Sequence, residues 1–430
     1  MGGQSTTYPP IGTTSRLLQS GRLSPVRLGD CEDRAVDPDS FQRLLAPEGQ
    51  RLLASLPAYD GARALAVATA AREAGHDEAL VSSAMTQSRL RARARAKFGE
   101  DADRLYFTAD GLEQSTRSLV AAHRATRFAQ AAVRRIADLG CGIGGDLPHL
   151  ARASRDGVLA VDRDPLTAAV AAANMAALGL TSRVEVRCAD VTDVDLSTVD
   201  GAFVDPARRQ GGSRTFDPLA YSPPYAFVLD LAARLPATGA KLAPGIPHEV
   251  LPAGAEAEWV SVTGDVVECA LWCGPLAGAA ARRATLLPSG ATVTGDGLTR
   301  APAGPVQRFL YEPDGAVIRA GLVAEVAEQL GGHLLDPTIA YITGDRATGS
   351  PFATGYHVVD VLPFGLKRLR SLLRDRDIGV LTIKKRGSAI EPETLRRQVR
   401  LHGGAAATIV VTRIAGQPSV LVVEPLAASL

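Results

Sequence analysis

Cysteine is scarce in this 430-residue sequence, and so are long apolar runs. The five cysteines are scattered, which is typical of a protein kept in a reducing compartment rather than of a disulfide-rich secreted domain. No apolar run approaches the roughly 18 residues that span a bilayer, and the first residues lack the apolar core of a secretory signal. The sequence therefore predicts a cytoplasmic protein without a membrane partner.

An excess of charge of one sign is also lacking. Lys and Arg total 47 against 46 Asp and Glu, a formal net charge of +1, so any binding of nucleic acid needs a local patch rather than an overall field. Hydrophobic residues make up 46% of the chain, which is enough for a sizeable core in a globular protein. The composition does not indicate an oligomeric state.

The texture of the sequence changes three times along the chain. Residues 1–38, rich in Gly, Ser, Thr, Pro and Arg, predict a disordered leader. Leucines and alanines at helical spacing then predict a helical domain over 39–132. Short apolar runs that alternate with helical windows predict an α/β domain over 133–283. Strand and helix signals with an excess of basic residues predict a small α+β domain over 284–430.

Five short apolar runs of the α/β region have the length of buried strands. Parallel strands joined by crossover helices explain this alternation most economically. Two further runs, Trp259–Val262 and Val266–Trp272, flank Gly264-Asp265, which is a hairpin signal. The predicted fold class is α/β, a parallel sheet closed by an antiparallel hairpin. The five runs are Ile136–Leu139, Gly157–Val161, Val184–Cys188, Ala202–Val204 and Ala240–Leu242.

A glycine-rich loop follows the first of these runs and leads into a helical window. Gly140, Gly142 and Gly144 let the turn be tight and let backbone N–H groups approach a ligand. With Gly145 the segment also matches the Gly-x-Gly-x-x-Gly pattern of dinucleotide enzymes, which is a weak signal alone. The loop therefore predicts a cofactor site that two kinds of cofactor could use.

Three aspartates near strand ends discriminate between these cofactors. Asp138 lies two residues before the first glycine, where a carboxylate attracts a cationic amino-acid group and repels a pyrophosphate. Asp162 ends the next strand and can accept hydrogen bonds from both hydroxyls of a ribose. Asp190 follows the third strand, where its carboxylate can accept a hydrogen bond from an adenine amino group. A dinucleotide enzyme does not need this third acid, so the ordered series predicts S-adenosylmethionine and a methyltransferase.

The fourth strand ends in Asp205-Pro206-Ala207-Arg208-Arg209, at the sheet edge where α/β enzymes bind their ligands. Asp205 is predicted to accept a hydrogen bond from the nucleophile, and Pro206 to stiffen the backbone. Arg208 and Arg209 are predicted to hold a phosphate or carboxylate in bidentate fashion, the alternative being a charged loop in solvent. Arg208 stands where amino-group methyltransferases typically carry an aromatic residue, which argues against methylation of an exocyclic amine.

Other reactive groups near this edge are interpreted as structural. Ser222-Pro223-Pro224-Tyr225 resembles an amino-methyltransferase motif, but no strand precedes it. Ser222 is therefore predicted to cap a helix, with Tyr225 left as a candidate pocket residue. No cysteine follows the fifth strand, where carbon methylation would need a nucleophile, so the thiols are expected to be incidental. Glu268 in the hairpin needs a partner if it is buried, and Lys241 is the candidate.

The chain resembles bacterial class I methyltransferases that carry a C-terminal THUMP-like, ferredoxin-like domain. The resemblance runs from about residue 40 to the end, and its most specific part combines Asp205–Arg209 with Lys385-Arg386-Gly387. Leu112-Glu113-Gln114-Ser115 and Lys241-Leu242-Ala243-Pro244 also match, whereas the cofactor loop departs from the Asp-Leu-Thr-Gly often found in the family. The resemblance implies a Rossmann-like sheet and, by domain analogy, an RNA substrate. The substrate contacts it implies are Gln114, Lys241, Lys385 and Arg386.

Local charge bears on the RNA hypothesis. Residues 361–430 hold 12 Lys and Arg against 5 Asp and Glu, which is either a phosphate-binding face or a solvated one. A second basic run, from Arg89 to Lys97 at a spacing of two, wraps around its helix, and solvation is favoured for it. Two alternatives stay open: a non-catalytic, cofactor-sensing RNA-binding module, and a methyltransferase of proteins or small molecules.

Overall fold

The structure is a computed structural model that describes residues 38–206, 209–210, 213–214 and 221–426. The predicted leader lies outside the described residues except for its last position. Arg208 also lies outside them, and Arg209 is described in its backbone alone, within a short antiparallel pair of strands, β5 (Arg209–Gln210) and β6 (Ser213–Arg214).

Helices make up the part of the chain before the first strand. They are α1 (Pro38–Leu45), α2 (Pro47–Ser55), α3 (Ala64–Glu73), α4 (Glu78–Phe98), α5 (Ala109–Gln114) and α6 (Ser118–Gln130). The Asp77 side chain caps α4 by accepting a hydrogen bond from Leu80 N. Aspartate is one of the residues preferred at this N-cap position. Ile143 of the glycine loop packs in the same apolar core as Phe41 and Phe107. The helical region therefore packs directly on the predicted cofactor loop.

A nine-stranded sheet forms the centre of the described chain. Its strands are β1 (Arg135–Leu139), β2 (Gly157–Asp162), β3 (Val184–Cys188), β4 (Gly201–Val204), β7 (Ala237–Leu242), β8 (Glu256–Val262), β9 (Asp265–Trp272), β10 (Arg282–Leu287) and β11 (Ala291–Gly295). The order is β11-β10-β8-β9-β7-β4-β1-β2-β3. The run from β3 to β7 is parallel, and β9 inserts antiparallel between β7 and β8. The predicted parallel sheet with its hairpin is confirmed.

The helices α7 (Leu147–Ala153), α8 (Pro165–Ala177) and α9 (Tyr225–Arg234) connect the parallel strands. They follow β1, β2 and β4 respectively, as crossover connections of a parallel sheet must. Because the strands are parallel, their carboxyl ends all lie at the same edge of the sheet. The residues that follow β1, β2, β4 and β7 are therefore neighbours in space.

A second sheet follows, built from seven strands of the described chain. They are β12 (Phe309–Pro313), β13 (His333–Asp336), β14 (Ile339–Gly344), β15 (Ala353–Pro363), β16 (Ile378–Lys385), β17 (Ala405–Ile414) and β18 (Gln417–Pro425), in the order β13-β14-β12-β15-β18-β17-β16. Its helices are α10 (Gly315–Ala320), α11 (Val323–Leu330), α12 (Leu366–Asp375) and α13 (Pro392–Val399). Val317 of α10 shares a core with Trp259 of the first sheet. The boundary predicted between residues 283 and 284 falls within β10.

A buried ionic network attaches α6 to the hairpin. Glu256 and Glu258 of β8 are both fully buried. Arg127 of α6 donates to Glu256 Oε2 at 2.9 Å and to Glu258 Oε2 at 3.1 Å, and His123 Nε2 lies 2.8 Å from Glu258 Oε1. Buried carboxylates need such partners because desolvation of an unpaired charge is costly. The network fixes the helix that forms one wall of the site described below.

Glu258 predicts acid sensitivity of this attachment. Burial opposes its ionisation, but hydrogen bonding to His123 and the charge of Arg127 outweigh burial and lower its pKa to about 2. A carboxyl whose pKa is lower in the folded than in the unfolded chain stabilises the fold above its unfolded pKa, and this stability is lost as pH falls through the folded pKa. We expect Glu258 to contribute about 3 kcal/mol at neutral pH that disappears between roughly pH 5 and pH 2.

Urea unfolding of the wild type and of Glu258→Gln over this pH range measures that contribution. The difference between the two midpoints should shrink as pH falls, whereas Glu73→Gln, at an exposed position of α3, should follow the wild type throughout. A constant difference between wild type and Glu258→Gln from pH 7 to pH 2.5 would contradict the assignment.

Candidate active site

A cleft of about 910 Å³ opens at the carboxyl ends of the parallel strands. Its walls come from the glycine loop, the segment after α5, the ends of β4 and β7 and the start of β9. The cleft brings together most of the predicted site residues: Gln114, Asp138, Gly140, Gly142, Asp162, Asp190, Asp205, Pro206 and Lys241.

No helix in the described part of the chain is long and apolar enough to cross a membrane.

The glycine loop is shaped by backbone that other residues adopt poorly. Gly140 has φ +85°, and a Cβ there would lie 2.8 Å from the carbonyl oxygen of Asp205. The loop therefore presses against the end of β4, which places Asp205 beside the predicted cofactor loop. Gly144, with φ +86°, lies just outside the cleft lining, where a Cβ would meet Leu147 Cδ1 at 3.1 Å. Both positions favour glycine for their backbone conformation, and Gly140 also needs it for space.

Asp138 is the least satisfied charged group of the cleft wall. It is 2% exposed, and its Oδ2 has no hydrogen-bond partner among the described residues. Burial, together with the nearby carboxylates of Asp146 and Asp205, raises its pKa well above the usual range. A buried carboxylate oxygen without a donor fits a cationic ligand, because a cation would both donate the missing hydrogen bond and favour the ionised form. The ammonium group of S-adenosylmethionine meets this requirement.

The other two predicted cofactor aspartates lie on the same side of the cleft. Asp162 accepts hydrogen bonds from the backbone N–H groups of Gly142 and Asp164, each at 3.0 Å, and burial raises its pKa. Asp190 is exposed and accepts from Thr192 N at 3.0 Å and Thr192 Oγ1 at 2.7 Å, which lowers its pKa. Both carboxylates are thus held in one orientation by local backbone.

A partly buried ion pair lines the cleft at the ends of β4 and β7. Lys241 lies in β7, a strand buried along its whole length, and its Nζ donates to Asp205 Oδ2 at 2.6 Å and to Thr116 Oγ1 at 3.5 Å. The side chain of Lys241 is 9% exposed and that of Asp205 is 25% exposed. Four apolar residues also line the cleft: Val120, Pro244, Val266 and Val267.

Arg124 of α6 bridges two carboxylates of the cleft lining, Asp146 and Glu268. It is fully buried and donates through Nη1 to Asp146 Oδ1, directly after the glycine loop, and through Nη2 to Glu268 Oε2 at 2.6 Å. Its guanidinium lies 4.2 Å from the ring centroid of Phe203 in β4. Burial disfavours the charge, but the two carboxylates outweigh it and raise the pKa of Arg124. Arg124 is therefore a permanent buried cation beneath the cleft.

Comparison with known proteins agrees with this geometry. A methyltransferase-domain model matches residues 136–205, a THUMP domain-like model matches 353–425, and a domain of unknown function matches 37–94. An uncharacterized S-adenosylmethionine-dependent methyltransferase of Mycobacterium tuberculosis, found in strains CDC 1551 and H37Rv, is 38% identical over 338 residues. The match covers 76% of this chain and 90% of the relative. The chain belongs to the class I S-adenosylmethionine-dependent methyltransferases with a C-terminal THUMP-like domain.

A solved structure has the same fold as this methyltransferase. The crystal structure of a candidate methyltransferase from Porphyromonas gingivalis W83 superposes with a TM-score of 0.69 and 22% sequence identity. The superposition covers 86% of this chain and the whole of that chain. The two proteins thus share their architecture. S-adenosylmethionine, when bound, supplies a methyl group that its sulfonium makes electrophilic.

Glu268 has a different partner from the one the sequence suggested. It pairs with Arg124 rather than with Lys241, and Lys241 pairs with Asp205. In the sheet, Lys241 lies opposite Ala270, and its Nζ reaches Asp205 directly after β4. Nothing in the sequence singles out Arg124, because its partners Asp146 and Glu268 are 22 and 144 residues away.

Two interpretations near α9 are wrong. The helix begins at Tyr225 with Pro224 at the N-cap position and no side-chain cap, so Ser222 does not cap it. Instead Ser222 Oγ accepts a hydrogen bond from Arg163 Nη1 at 3.4 Å. Tyr225 is not a pocket residue, because its ring is buried in the core and its hydroxyl donates to Val250 O at 3.1 Å. The four cysteines in the described residues are free thiols, and burial raises the pKa of Cys141 and Cys269.

Three cations of the basic run of α4 have partners within the protein, so the run is not simply solvated. Arg91 donates to Leu105 O at 2.9 Å, and Arg95 pairs with Asp103 at 2.8 Å. Lys97 Nζ donates to the carbonyl oxygens of Leu112, Glu113 and Ser115 at 2.6, 2.7 and 3.0 Å. An ammonium group at the C-terminus of α5 satisfies carbonyls that the helix leaves unpaired. Lys97 thereby holds the segment carrying Gln114 at the rim of the cleft.

Lys385 and Arg386 lie outside the cleft, in and directly after β16 of the second sheet. Lys385 Nζ is 2.5 Å from Glu391 Oε1, and Arg386 Nη2 is 3.9 Å from Glu312 Oε1. Lys384 also pairs with Glu312, at 2.6 Å. The structure thus separates these predicted substrate contacts from the residues that it brings together around Asp205.

Proposed function

We propose that this methyltransferase holds S-adenosylmethionine through the glycine loop with Asp138, Asp162 and Asp190, and that it methylates RNA. The observation that carries the choice of RNA is a basic surface on the THUMP-like domain. Helices α12 and α13 are anchored on the second sheet through buried Leu369, Leu373, Leu395 and Val399. Their exposed faces are basic. This basic helix surface consists of Lys367, Arg368, Arg370, Arg374, Arg397 and Arg400.

A polyanion is the partner that such a surface favours. Five of the six cations lie on two adjacent helices, and Arg400 directly follows α13. All six are exposed to solvent, where phosphate contacts release counterions and give salt-dependent affinity. Three of them also make exposed contacts of their own. Arg370 Nε donates to Gln398 O at 2.8 Å, Arg374 Nε lies 3.6 Å from Asp375 Oδ1, and Arg397 Nη2 donates to Thr394 Oγ1 at 3.3 Å. Exposed contacts of this kind are weak, so replacing them with contacts to RNA phosphate costs little free energy. Lys384 and Lys385 pair with carboxylates at 2.5–2.6 Å. Because the Lys385–Glu391 pair is exposed, Lys385 can exchange its carboxylate for phosphate in the same way.

The roles at the catalytic edge follow from this proposal. Asp205 orients the acceptor and Lys241 lies against it, while Arg208, Arg209 and Gln114 contact the RNA around the reacting nucleotide. Lys385 and Arg386 contact RNA outside the cleft. Catalysis then rests mainly on holding the acceptor in line with the methyl group, which can supply most of the rate.

Neutralising part of the basic helix surface tests the choice of RNA. The double variant Lys367→Gln/Arg368→Gln should bind cellular RNA roughly 10- to 30-fold more weakly at physiological salt and reduce the salt slope by about 2, because two phosphate contacts are lost. Filter binding across a salt series measures both values. Arg72→Gln/Arg93→Gln removes two exposed cations from the helical region and should leave both unchanged.

Transfer of tritium from labelled S-adenosylmethionine decides the substrate class. Incorporation into RNA that falls with the Lys367→Gln/Arg368→Gln variant supports the proposal. Label found only in protein or in a small molecule would overturn it, as would RNA affinity equal to that of the wild type in this variant.

A further inference from the structure

Charged side chains of alternating sign lie where the ends of β4 and β7 and the start of β9 form the cleft. Asp205 is paired with Lys241 at 2.6 Å, and Glu268 is paired with Arg124 at 2.6 Å. Asp205 also interacts electrostatically with Arg124. These residues come from α6, β7, β9 and the end of β4, and three of them, Asp205, Lys241 and Glu268, line the cleft. The group that receives the methyl must therefore react beside a fixed ammonium and a fixed carboxylate.

Charge development separates the possible acceptors. A neutral nitrogen acquires positive charge as its lone pair attacks a methyl group, and the adjacent Lys241 ammonium opposes this change. A hydroxyl oxygen instead acquires negative charge as its proton leaves, and the same ammonium stabilises it. Preorganised charges placed where charge develops are the largest contributors to catalysis. The Lys241–Asp205 pair is thus suited to an oxygen acceptor.

We propose that the acceptor is a hydroxyl oxygen, namely the ribose 2′-hydroxyl of RNA, with Asp205 and Lys241 as the catalytic pair. The inference rests on the proposed function, since it specifies the atom within the proposed RNA substrate.

The reaction balances with the groups present. The hydroxyl oxygen forms a bond to the methyl carbon while the bond from that carbon to sulfur breaks, so the sulfonium becomes a neutral thioether. The hydroxyl proton passes to Asp205 Oδ1, the carboxylate oxygen that does not face Lys241. Lys241 stays protonated and donates to the oxygen as its negative charge grows. Glu268 and Arg124 do not contact the acceptor in this step; Arg124 donates a hydrogen bond to Glu268.

Alkaline hydrolysis of the tritiated RNA locates the methyl group. A 2′-O-methyl group blocks cleavage of the adjacent phosphodiester, so the label should appear in alkali-resistant dinucleotides, and a DNA strand of the same sequence should receive none. Label released entirely as mononucleotides carrying a methylated base would overturn the inference while leaving the RNA proposal intact. No label in any RNA would instead count against the RNA proposal itself, and the hydroxyl inference would fall with it.

Variants of Lys241 test its role separately from folding. Lys241→Met should lower kcat by about 10²–10³-fold, the loss typical for one group that stabilises developing negative charge. Lys241→Arg, which keeps a cation beside Asp205, should recover part of it. Calorimetry with S-adenosylhomocysteine should give the wild-type affinity for both variants, which shows that the cofactor site is folded in each. Equal kcat for Lys241→Met and the wild type would overturn the assignment, and so would a loss that Lys241→Arg leaves entirely unrepaired.

Discussion

Replacing Arg124 with methionine is expected to lower the free energy of unfolding by about 3–5 kcal/mol, the usual cost of removing one partner from a buried ion pair. The side chain is 1% exposed, and its partners Asp146 and Glu268 are only 11% and 4% exposed. Methionine fills much of the volume but leaves two buried carboxylates without their cation. The variant also loses the contact with the face of Phe203, which adds to the cost. Urea denaturation followed by circular dichroism measures the change.

Two further variants give this prediction its controls. Arg124→Lys keeps the charge but cannot bridge two carboxylates in the planar geometry of a guanidinium, so its stability should lie between those of the wild type and Arg124→Met. Arg374→Met removes an arginine whose side chain is 78% exposed and should change stability by less than about 0.5 kcal/mol. An Arg124→Met protein as stable as the Arg374→Met protein would show that the buried bridge contributes nothing.

The sequence predicts this site well where the chemistry is local. Asp138, Gly140 and Gly142 occupy one strand end and the loop after it, so their proximity follows from the chain itself. Asp162 follows one strand later in a parallel sheet, and parallel strands bring their carboxyl ends to the same edge. The predicted strand at Val184–Cys188 and the hairpin after Trp259 match observed elements for the same reason, because alternation and turn residues are short-range signals.

The sequence fails where a partner is chosen by tertiary packing. Arg124 is one of two arginines in an alanine-rich helix, and only the packing of α6 on the hairpin brings it to Glu268. The partner of Lys241 depends on which strands flank β7 and in what register. The partners of the α4 cations cannot be predicted from the sequence either, since Lys97 meets its carbonyl partners only because α5 ends beside it. Long-range charge pairing leaves no periodic trace in a sequence, so these contacts need coordinates.

Asp138→Asn is expected to separate ligand binding from stability. In the ligand-free protein Asp138 is a buried carboxyl whose pKa is raised by burial and by neighbouring carboxylates. A carboxyl with a raised folded pKa destabilises the fold at every pH above its unfolded pKa, because the unfolded chain releases its proton first. Asparagine removes this cost, so the ligand-free variant should be at least as stable as the wild type at pH 7.

Binding should change in the opposite direction. The same substitution removes the negative charge that a cationic amino group requires, and a hydrogen bond to a charged group contributes about 1.5–3 kcal/mol. Affinity for S-adenosylhomocysteine should therefore fall roughly 10- to 150-fold by calorimetry, whereas Asp193→Asn, an exposed acid just outside the lining of the cleft, should bind as the wild type does. A residue that served only the fold would lose stability and keep its affinity. Unchanged affinity in Asp138→Asn would remove this carboxylate from the cofactor site, because its buried oxygen without a donor is the feature by which the structure fits a cationic ligand there.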